Sequence, residues 1–495
     1  FGSRAVWIKL HTSNLQRREF DGSGVRHAIH MTSSSTERNA LDQALAPGEA
    51  LSIRWQSNDA RIRRRNIHLI YVLSFIGMLM FSMSFGAWVD IFISDLSDKT
   101  NSFVGLVETV RGSVICVMSI VAGFLADKFS RASLLKLSAC LMICPILMYA
   151  YGIWHEDLTC IAFALPLFAA SGQVGQEAQI LLLQDCCTDQ ERVDVLAKKN
   201  WAENVALGAG ALLQLGMVLA RDMRLDGGSD WSLGLLKELL LSGLLIHPIV
   251  VILCFCTHHV PPGAASAAIG RNLEAETWRS DLLLWSARRD VLVVAWATSC
   301  WIASVMGAGL TLKFVPLFWR RVVHVSPIGL LIVQVAEPWG LALCNSVTPR
   351  ITKKLGQAES CVVFVMLGAI FLVVFALGAG REWMPFPLAA IVWVLRTSTG
   401  RAWVPCLQSI IYTCVPPTKQ GRFTALLSIK SYTFSVFSGV GGGLADRYGF
   451  RESFMLTAIV HALTAVAFVP VIGWFAPVEA AIAEQHAPTE SDACS

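Results

Sequence analysis

The chain of 495 residues is 54% hydrophobic and only 15% charged, whereas soluble domains carry about 25% charged residues. With a mean hydropathy of +0.54, this composition predicts a polytopic membrane protein. The net charge of +4 is too small and too scattered to indicate a nucleic-acid-binding protein.

The 14 cysteines lie almost wholly inside apolar runs. Neither Cys186-Cys187 nor the pair Cys254 and Cys256 has the spacing of zinc ligands. We therefore expect reduced, structural thiols, and we expect neither a metal centre nor a cofactor.

The first 66 residues are polar. They contain a Ser/Thr cluster at 31–37 and a basic run at 61–65, but no apolar core of the kind that a secretory signal needs. Because a segment that cannot bury apolar surface stays disordered, residues 1–66 are predicted to form a disordered cytosolic tail.

Twelve apolar segments follow, each about long enough to cross roughly 30 Å of hydrocarbon as a helix. The long interruption at 258–289 separates six segments from six, which predicts an all-α membrane protein with bundles at 67–257 and 290–475, a cytosolic loop between them and a cytosolic tail at 476–495. The segments are approximately 67–91, 103–126, 133–153, 158–183, 197–220, 234–257, 290–317, 327–347, 360–379, 386–410, 423–444 and 453–475.

The loop charges predict the orientation, because Lys and Arg accumulate in short cytosolic loops. Most of the loop Lys and Arg residues fall on one side of the predicted membrane, and both termini are therefore predicted to be cytosolic. Tryptophans fall at the predicted outer ends, as an interfacial aromatic belt would. They are Trp88, Trp154, Trp231, Trp319 and Trp383.

The central loop contains an amphipathic stretch, Arg271–Asp290. Trp278, Leu282 and Trp285 would share one face of a helix there, with basic residues opposite. The stretch is either a helix on the cytosolic membrane surface or a plain connector whose end starts the seventh segment.

A short charged connector, GFLADKFSRASLL from Gly123 to Leu135, joins the second and third segments. It resembles the loop signature of the major facilitator superfamily, Gly-x-Leu-Ala-Asp-Arg-x-Gly-Arg, which joins the second and third helices on the cytosolic side. Ser130 departs from that pattern, because the family usually has Gly at this position. The resemblance covers roughly residues 67–475 and implies two six-helix bundles that rock about a central site and open it alternately to each side.

The resemblance also implies roles for the connector. Asp127 would cap and charge-pair across the cytosolic ends of the two bundles, and Arg131 would hold the loop, so that Gly123, Asp127, Lys128 and Arg131 form a conformational latch. The alternative is that these charges only enforce topology. Topology gives Asp127 no role, however, since acids contribute little to orientation.

The chain also repeats itself across the two bundles, as this architecture implies. Thr188–Arg192, TDQER, follows the fourth segment, and Thr418–Arg422, TKQGR, follows the tenth. The loop Thr352–Ser360 is a degenerate copy of the connector after the second segment, with Gly356 opposite Ser130.

Charged side chains inside the predicted segments are functional candidates, because a charge at mid-bilayer costs about 2.5–3.5 kcal/mol. None lies in the middle of the third, sixth, ninth or twelfth segment, which face lipid in the family that the chain resembles. The candidates are Glu108, Arg111, Glu177, Glu203, Glu337, Arg396, Arg401 and Lys430.

Two pairings among these charges are expected. Glu337 and Arg396 lie near the midpoints of their segments and could pair at the central site. Glu108 and Arg111 are three residues apart on one helix and are expected to satisfy each other.

Glu177, which is flanked by Gln173 and Gln176, is the predicted proton carrier, because a buried carboxylate can titrate near neutral pH. The alternative is a polar contact between helices. His247 and His461 lie in segments predicted to face lipid and are expected to make packing or oligomer contacts.

The second bundle has more positive than negative charge in its segments, since Arg396, Arg401 and Lys430 exceed Glu337. This favours an anionic or zwitterionic organic substrate. No drug-antiporter, sugar-porter or ATP-binding signature occurs, nor does HExxH or GxSxG. The leading hypothesis is a secondary transporter of a small organic solute, with proton coupling as an option, and the other is a transporter-like sensor or scaffold.

Overall fold

The computed structural model describes residues 47–98, 100–187, 189–225, 231–260, 283–284, 287–415 and 429–485. The chain divides into two compact units, residues 1–62 and 63–495. The second unit contains the helices that form the functional site.

The amino-terminal half contains eight helices that match the first six predicted segments. The first segment consists of α1 and α2 and the sixth of α7 and α8. The helices are α1 (Pro47–Ser84), α2 (Ala87–Leu96), α3 (Asn101–Lys128), α4 (Arg131–His155), α5 (Leu158–Cys186), α6 (Asp189–Leu225), α7 (Leu233–Leu244) and α8 (His247–Phe255).

The carboxyl-terminal half matches the last six predicted segments. The seventh segment consists of α9, a 3₁₀ turn at Leu312–Phe314, and α10. The helices are α9 (Arg289–Thr311), α10 (Val315–Arg321), α11 (Pro327–Leu355), α12 (Gln357–Gly378), α13 (Phe386–Cys414), α14 (Ile429–Tyr448) and α15 (Phe450–Gln485).

Ten of the described helical stretches are long and apolar enough to cross a membrane. The other two predicted segments correspond to α13, which carries Arg396 and Arg401, and to α14, which is rich in Gly and Ser. Both helices are more polar than a helix that faces lipid, because polar residues in a membrane span usually face the interior of the protein.

Two predicted boundaries differ from the structure. Helix α1 begins at Pro47, inside the segment 1–66 that was predicted to be disordered. Hydropathy placed the boundary too late because the apolar part of α1 starts only after the basic run at 61–65. At the other end, α15 continues to Gln485, past the predicted end at 475.

The described part of the central loop is a short antiparallel hairpin in which β1 (Leu283–Leu284) pairs with β2 (Ala287–Arg288). A membrane-surface helix, which was one of the two alternatives for this stretch, therefore does not extend over these residues. Trp278, Leu282 and Trp285 lie outside the described residues.

Successive spans run in opposite directions and create two faces. We call the face with the turn between α3 and α4 the Ser130 face, and the face with the turn between α14 and α15 the Gly449 face. The halves meet through α3 against α14 and through α6 against α11.

The first span is broken at Phe85–Gly86, between α1 and α2. The break leaves the carbonyl oxygens of Met83 and Ser84 without helical partners, and two buried side chains bond them. Gln214 Nε2 donates to Met83 O at 2.9 Å, and the Tyr149 hydroxyl donates to Ser84 O at 2.8 Å. A broken helix is tolerated at membrane depth only where neighbouring groups satisfy its backbone in this way.

The seventh span breaks at the corresponding place, where the 3₁₀ turn at 312–314 separates α9 from α10. Ser453 Oγ donates to Leu310 O at 2.9 Å beside this break. The two breaks place Asp90 and Lys313 close together between the halves.

Candidate functional site

A cavity of ≈ 200 Å³ lies between the two halves, beside the breaks in the first and seventh spans. Both halves line it, and its walls combine aromatic rings with charged groups of both signs. The lining residues are Ala87, Asp90, Leu312, Val315, Pro316, Trp319, Leu330, Val333, Gln334, Glu337, Trp393 and Arg401.

Glu337 and Arg396 meet at Trp393 rather than at each other. The indole Nε1 of Trp393 donates to Glu337 Oε2 at 3.1 Å, while the Arg396 guanidinium lies 5.0 Å from the centre of the Trp393 ring. In the described part of the chain no ion pair within 4.0 Å joins Glu337 to Arg396, so the indole separates the pair that we expected.

Two residues that line this cavity carry a buried donor with no hydrogen-bond partner among the described residues. The atoms are Gln334 Nε2 and Trp319 Nε1. Unpaired buried donors are costly and call for a partner, which a polar group of a bound molecule would supply.

Next to the cavity, four charges form a buried cluster. Arg111 donates to Glu108 at 2.9 and 2.7 Å, which confirms the pairing expected from their spacing. Lys313 Nζ lies 3.0 Å from Asp90 and 3.1 Å from Glu108, and Ser435 Oγ donates to Glu108 at 3.2 Å. Asp90, Glu108 and Arg111 belong to the amino-terminal half, so the cluster joins the halves.

Further polar bonds join the halves at the Gly449 face. Arg320 Nη1 donates to both carboxylate oxygens of Asp95, at 2.7 and 2.8 Å. Arg320 also lies over the Trp231 ring at 4.9 Å. Arg321 donates to Ser94 and to Asn101.

Asp446, from the end of α14, bonds the first turn of α3 in the other half. Its carboxylate accepts from the backbone N–H groups of Asn101 at 3.0 Å and Ser102 at 2.7 Å. It also accepts from both of their side chains. The halves are therefore closed at the Gly449 face.

The halves pack closely where α3 crosses α14. A Cβ added to Gly105 or to Gly112 would lie 2.5 Å or less from an atom of Ser438 or Ser435. Side chains larger than hydrogen at these two positions would therefore push the halves apart.

At the Ser130 face the predicted latch residues lie at the ends of α3 and α4. Arg131 forms an ion pair with Asp185 and donates to Leu181 O at 3.0 Å, which ties the loop to the end of α5. Lys128 is exposed in the last turn of α3. The side chain of Asp127 lies outside the described residues.

Ser130 itself is the N-cap of α4, where its hydroxyl accepts from Ser133 N at 3.2 Å. Gly356, its expected counterpart, is likewise the residue that precedes α12. The side chains of the repeats TDQER and TKQGR are not among those that the structure describes.

The remaining candidates lie apart from the cavity walls. Glu177 is half-buried and accepts from Gln173 Nε2 at 2.9 Å, and Gln176 is exposed. Glu203 pairs with Lys199 one turn away. Lys430 Nζ lies 3.9 Å from the centre of the Trp301 ring.

The two histidines differ in their contacts. His461 Nε2 bonds Ser304 O at 3.1 Å within the carboxyl-terminal half, which agrees with the packing role expected for it. Both ring nitrogens of His247 are buried and have no hydrogen-bond partner among the described residues.

The sequence model of the protein family described as Major Facilitator Superfamily matches residues 67–432 of the chain. The chain belongs to the Major Facilitator Superfamily. With its membrane spans and its two-half fold, it is a multi-pass transmembrane solute transporter of this superfamily.

Solved transporters share the fold at low sequence identity. The nucleoside transporter NupG is 13% identical, with a TM-score of 0.58 over 82% of this chain and 99% of that chain. The inward-open xylose transporter XylE from E. coli is 13% identical, with a TM-score of 0.61 over 81% and 95%. The human organic anion transporter MFSD10 (TETRAN) is 14% identical, with a TM-score of 0.54 over 82% and 99%. No curated protein sequence matches the chain.

The superfamily signature occurs a second time in this member, and our sequence analysis missed it. Residues 442–449 read G-G-L-A-D-R-Y-G, which fits Gly-x-Leu-Ala-Asp-Arg-x-Gly better than residues 123–130 do. This copy lies at the end of α14, at the Gly449 face, and not in the loop where the family carries its signature. The acid of the second copy is Asp446.

Asp90 and Lys313 were also missed. They fall near the predicted ends of the first and seventh segments, at 91 and 317, where charges are normally at the membrane surface. Both positions are buried because the spans are broken there. Their signal in the sequence was a pair of opposite charges at matching positions of the two halves.

Proposed function

We propose that this superfamily member moves a small organic solute by alternating access, binding it in the cavity beside Trp319 and Trp393. The observation that carries the proposal is a cavity that both halves line with charged and aromatic groups, in a molecule closed at the Gly449 face by bonds between the halves. A site at the junction of two halves changes its access when the halves rock. The bonds of Asp95 and Asp446 would break when that face opens.

The cavity favours a zwitterionic solute. Glu337 and Arg401 offer opposite charges in one small space, so an ammonium group fits Glu337 and a carboxylate fits Arg401. The unpaired donor of Gln334 and the indole rings provide further polar and apolar contacts. The solved transporters of similar fold carry nucleosides, xylose and organic anions, so an organic anion is the alternative that the experiment must separate.

Proton coupling is part of the proposal. One structure of similar fold is a D-xylose–proton symporter. Glu177 is the carboxylate that the sequence nominates, and it accepts from Gln173 on α5 with no ion pair among the described residues. If Glu177 carries the proton, Glu177→Gln should abolish accumulation driven by a pH gradient yet keep substrate exchange. Accumulation that survives in this variant would assign the proton to another carboxylate.

The decisive experiment is uptake by the purified full chain in proteoliposomes. The panel should contain zwitterionic amino acids, carboxylates, sugars and nucleosides, each with and without a pH gradient. The proposal expects saturable uptake of a zwitterion. Uptake of monocarboxylates alone would show that the substrate is an anion and not a zwitterion. If the protein binds a solute of the panel but takes up none, a sensor or scaffold is favoured.

Two variants test the cavity. Glu337→Gln and Arg401→Gln should each raise KM about tenfold or more, because a hydrogen bond to a charged group contributes about 1.5–3 kcal/mol. Arg350→Gln is the matched control, since Arg350 is exposed at the end of α11. Unchanged KM in both cavity variants would place the substrate elsewhere.

A further inference from the structure

The buried cluster of Asp90, Glu108, Arg111 and Lys313 supplies none of the substrate contacts proposed above. It joins the two halves, because Lys313 approaches Asp90 at 3.0 Å and Glu108 at 3.1 Å from the opposite half. Asp90 and Glu108 are only 6% and 3% exposed. A charge cluster of this kind must stay balanced whenever the halves move.

The charge balance of the cluster depends on the closed state. With the halves together, two carboxylates face two cations and the sum is zero. When the Gly449 face opens, Lys313 leaves with its half while Arg111 stays. Two carboxylates would then face one cation, among apolar walls formed by Phe81, Phe85, Leu165 and Phe168. One unit of negative charge would remain uncompensated, which is unfavourable in such surroundings.

We propose that Asp90 binds the coupling proton of the transport cycle, and that the proton and Lys313 occupy this carboxylate in turn. The inference rests on the proposed function. A proton from the Gly449 side adds to a carboxylate oxygen of Asp90 when Lys313 has withdrawn. It is released when Lys313 returns, and no other bond is made or broken in the step.

Asp90 suits this task better than Glu108. Arg111 holds Glu108 through two hydrogen bonds within the same helix, at 2.9 and 2.7 Å, and these remain when the halves separate. Asp90 has its ion pair with Lys313 alone among the described residues. Asp90 also lines the substrate cavity, so proton and substrate bind side by side.

Other titratable groups face Asp90 from the surrounding helices. Among the described residues they are Glu108 and Arg111 on α3, Lys313 on the 3₁₀ turn, Tyr149 on α4 and, across the cavity, Glu337 and Arg401. The Tyr149 hydroxyl proton is engaged by Ser84 O at 2.8 Å. Of this set of described residues, Lys313 is the group from the opposite half that forms an ion pair with Asp90.

The first test uses proteoliposomes and the solute identified from the panel. A gradient of one pH unit should drive about tenfold accumulation in the wild type if one proton moves with each zwitterion. Asp90→Asn should abolish this accumulation and retain measurable exchange with a changed KM, since Asp90 lines the cavity. Accumulation that survives in Asp90→Asn, that disappears only in Glu177→Gln, or that follows a sodium gradient instead of the pH gradient would overturn the inference while leaving the proposed transport intact.

A double variant guards against misfolding. Asp90→Asn combined with Lys313→Gln removes one charge of each sign, so the cluster stays neutral in both states. It should retain exchange without coupling. Accumulation driven by the pH gradient in this variant would contradict the assignment of Asp90. Absence of exchange in the wild type would instead contradict the proposed function.

A second test needs no substrate. Val104 is buried beside the cluster and precedes Gly105, where α3 packs on Ser438 of the other half. Val104→Cys, in a chain without its native cysteines, therefore reports opening of the Gly449 face to an impermeant maleimide. Because maleimide reacts with the thiolate, whose fraction falls with pH, labelling is expressed relative to that of Trp154→Cys, an exposed site, at the same pH. This relative labelling should rise several-fold between pH 8 and pH 5.5, and Asp90→Asn should make it high and independent of pH. Equal pH dependence in both proteins would overturn the inference, and Glu452→Gln, at an exposed site, is the control.

Discussion

Asp446 caps a helix that belongs to the other half of the molecule, through its bond to the backbone N–H of Asn101 at 3.0 Å. Helix α3 has Thr100 at its N-cap, but the Thr100 side chain makes no capping bond and donates to Ser97 O instead. The first N–H groups of a helix need an acceptor and favour negative charge. Asp446 supplies the acceptor and the negative charge only while the halves are in contact at the Gly449 face.

Removing this cap should open the Gly449 face. Loss of an N-cap costs about 0.5–2 kcal/mol, so Asp446→Ala should shift the balance between closed and open states about two- to thirtyfold. Maleimide labelling of Val104→Cys measures the shift. Glu452→Ala is the control, since Glu452 lies nearby in the first turn of α15 and is exposed. Equal labelling in both variants would show that Asp446 does not hold the face closed.

The Asp446 contact should not respond to pH in the neutral range. Burial raises the pKa of Asp446, but the hydrogen bonds from Ser102 and Asn101 outweigh it and hold the pKa below its usual value. A lowered pKa in the closed state means that the contact is fully formed above the ordinary Asp pKa of about 3.9 and is lost only as pH falls through the lower value. Labelling of Val104→Cys in the Asp90→Asn variant, relative to that of the exposed Trp154→Cys at the same pH, should therefore stay constant from about pH 5 to 8. A change in that range would require another titrating group.

Gln214 should stabilise the broken first span. It is fully buried, accepts from Trp88 Nε1 at 2.9 Å and donates to Met83 O at 2.9 Å. Gln214→Leu leaves both groups unpaired, which costs about 1–3 kcal/mol for each buried group. A lower Tm in detergent measures the effect. Leu213→Ala, next to it and half-exposed, should change Tm little, and a Tm equal to that of wild type in Gln214→Leu would contradict the role.

The orientation remains a prediction that labelling can check. The loop charges place the Ser130 face, the region of Trp278 and the end of α15 at Gln485 in the cytosol. In a chain without its native cysteines, Cys at Trp278 or Gln485 should not react with an impermeant maleimide outside intact cells. Cys at Trp154, which is exposed at the Gly449 face, should react. The reverse pattern would invert the topology.

The signature at the Ser130 face makes a separate prediction. Asp127→Asn should slow or stop transport while leaving membrane insertion and abundance nearly intact, because the acid is placed where topology needs none. Arg131→Gln should in addition lower stability, since Arg131 holds Asp185 and the carbonyl oxygen of Leu181. Normal flux in Asp127→Asn would reduce the signature to a topological signal.

Much of the fold could be predicted from the sequence, because hydrophobicity alone decides which segments enter a membrane. The twelve segments, the division into two halves and the superfamily all followed from apolar runs and from one loop signature. The pair of Glu108 and Arg111 was predictable as well, since side chains three residues apart on one helix are neighbours whatever the tertiary structure.

The partners across the halves could be decided only by the tertiary structure. Asp90 with Lys313 and Asp446 with Asn101 are separated by 223 and 345 residues, and no local pattern encodes such contacts. Hydropathy also cannot locate a break inside a span, so it does not reveal that the charges at 90 and 313 meet between the halves. For the same reason the sequence could not show that Arg396 lies against the Trp393 ring and does not pair with Glu337. Apolar burial is a property of each segment, whereas the pairing of buried charges depends on how two bundles meet.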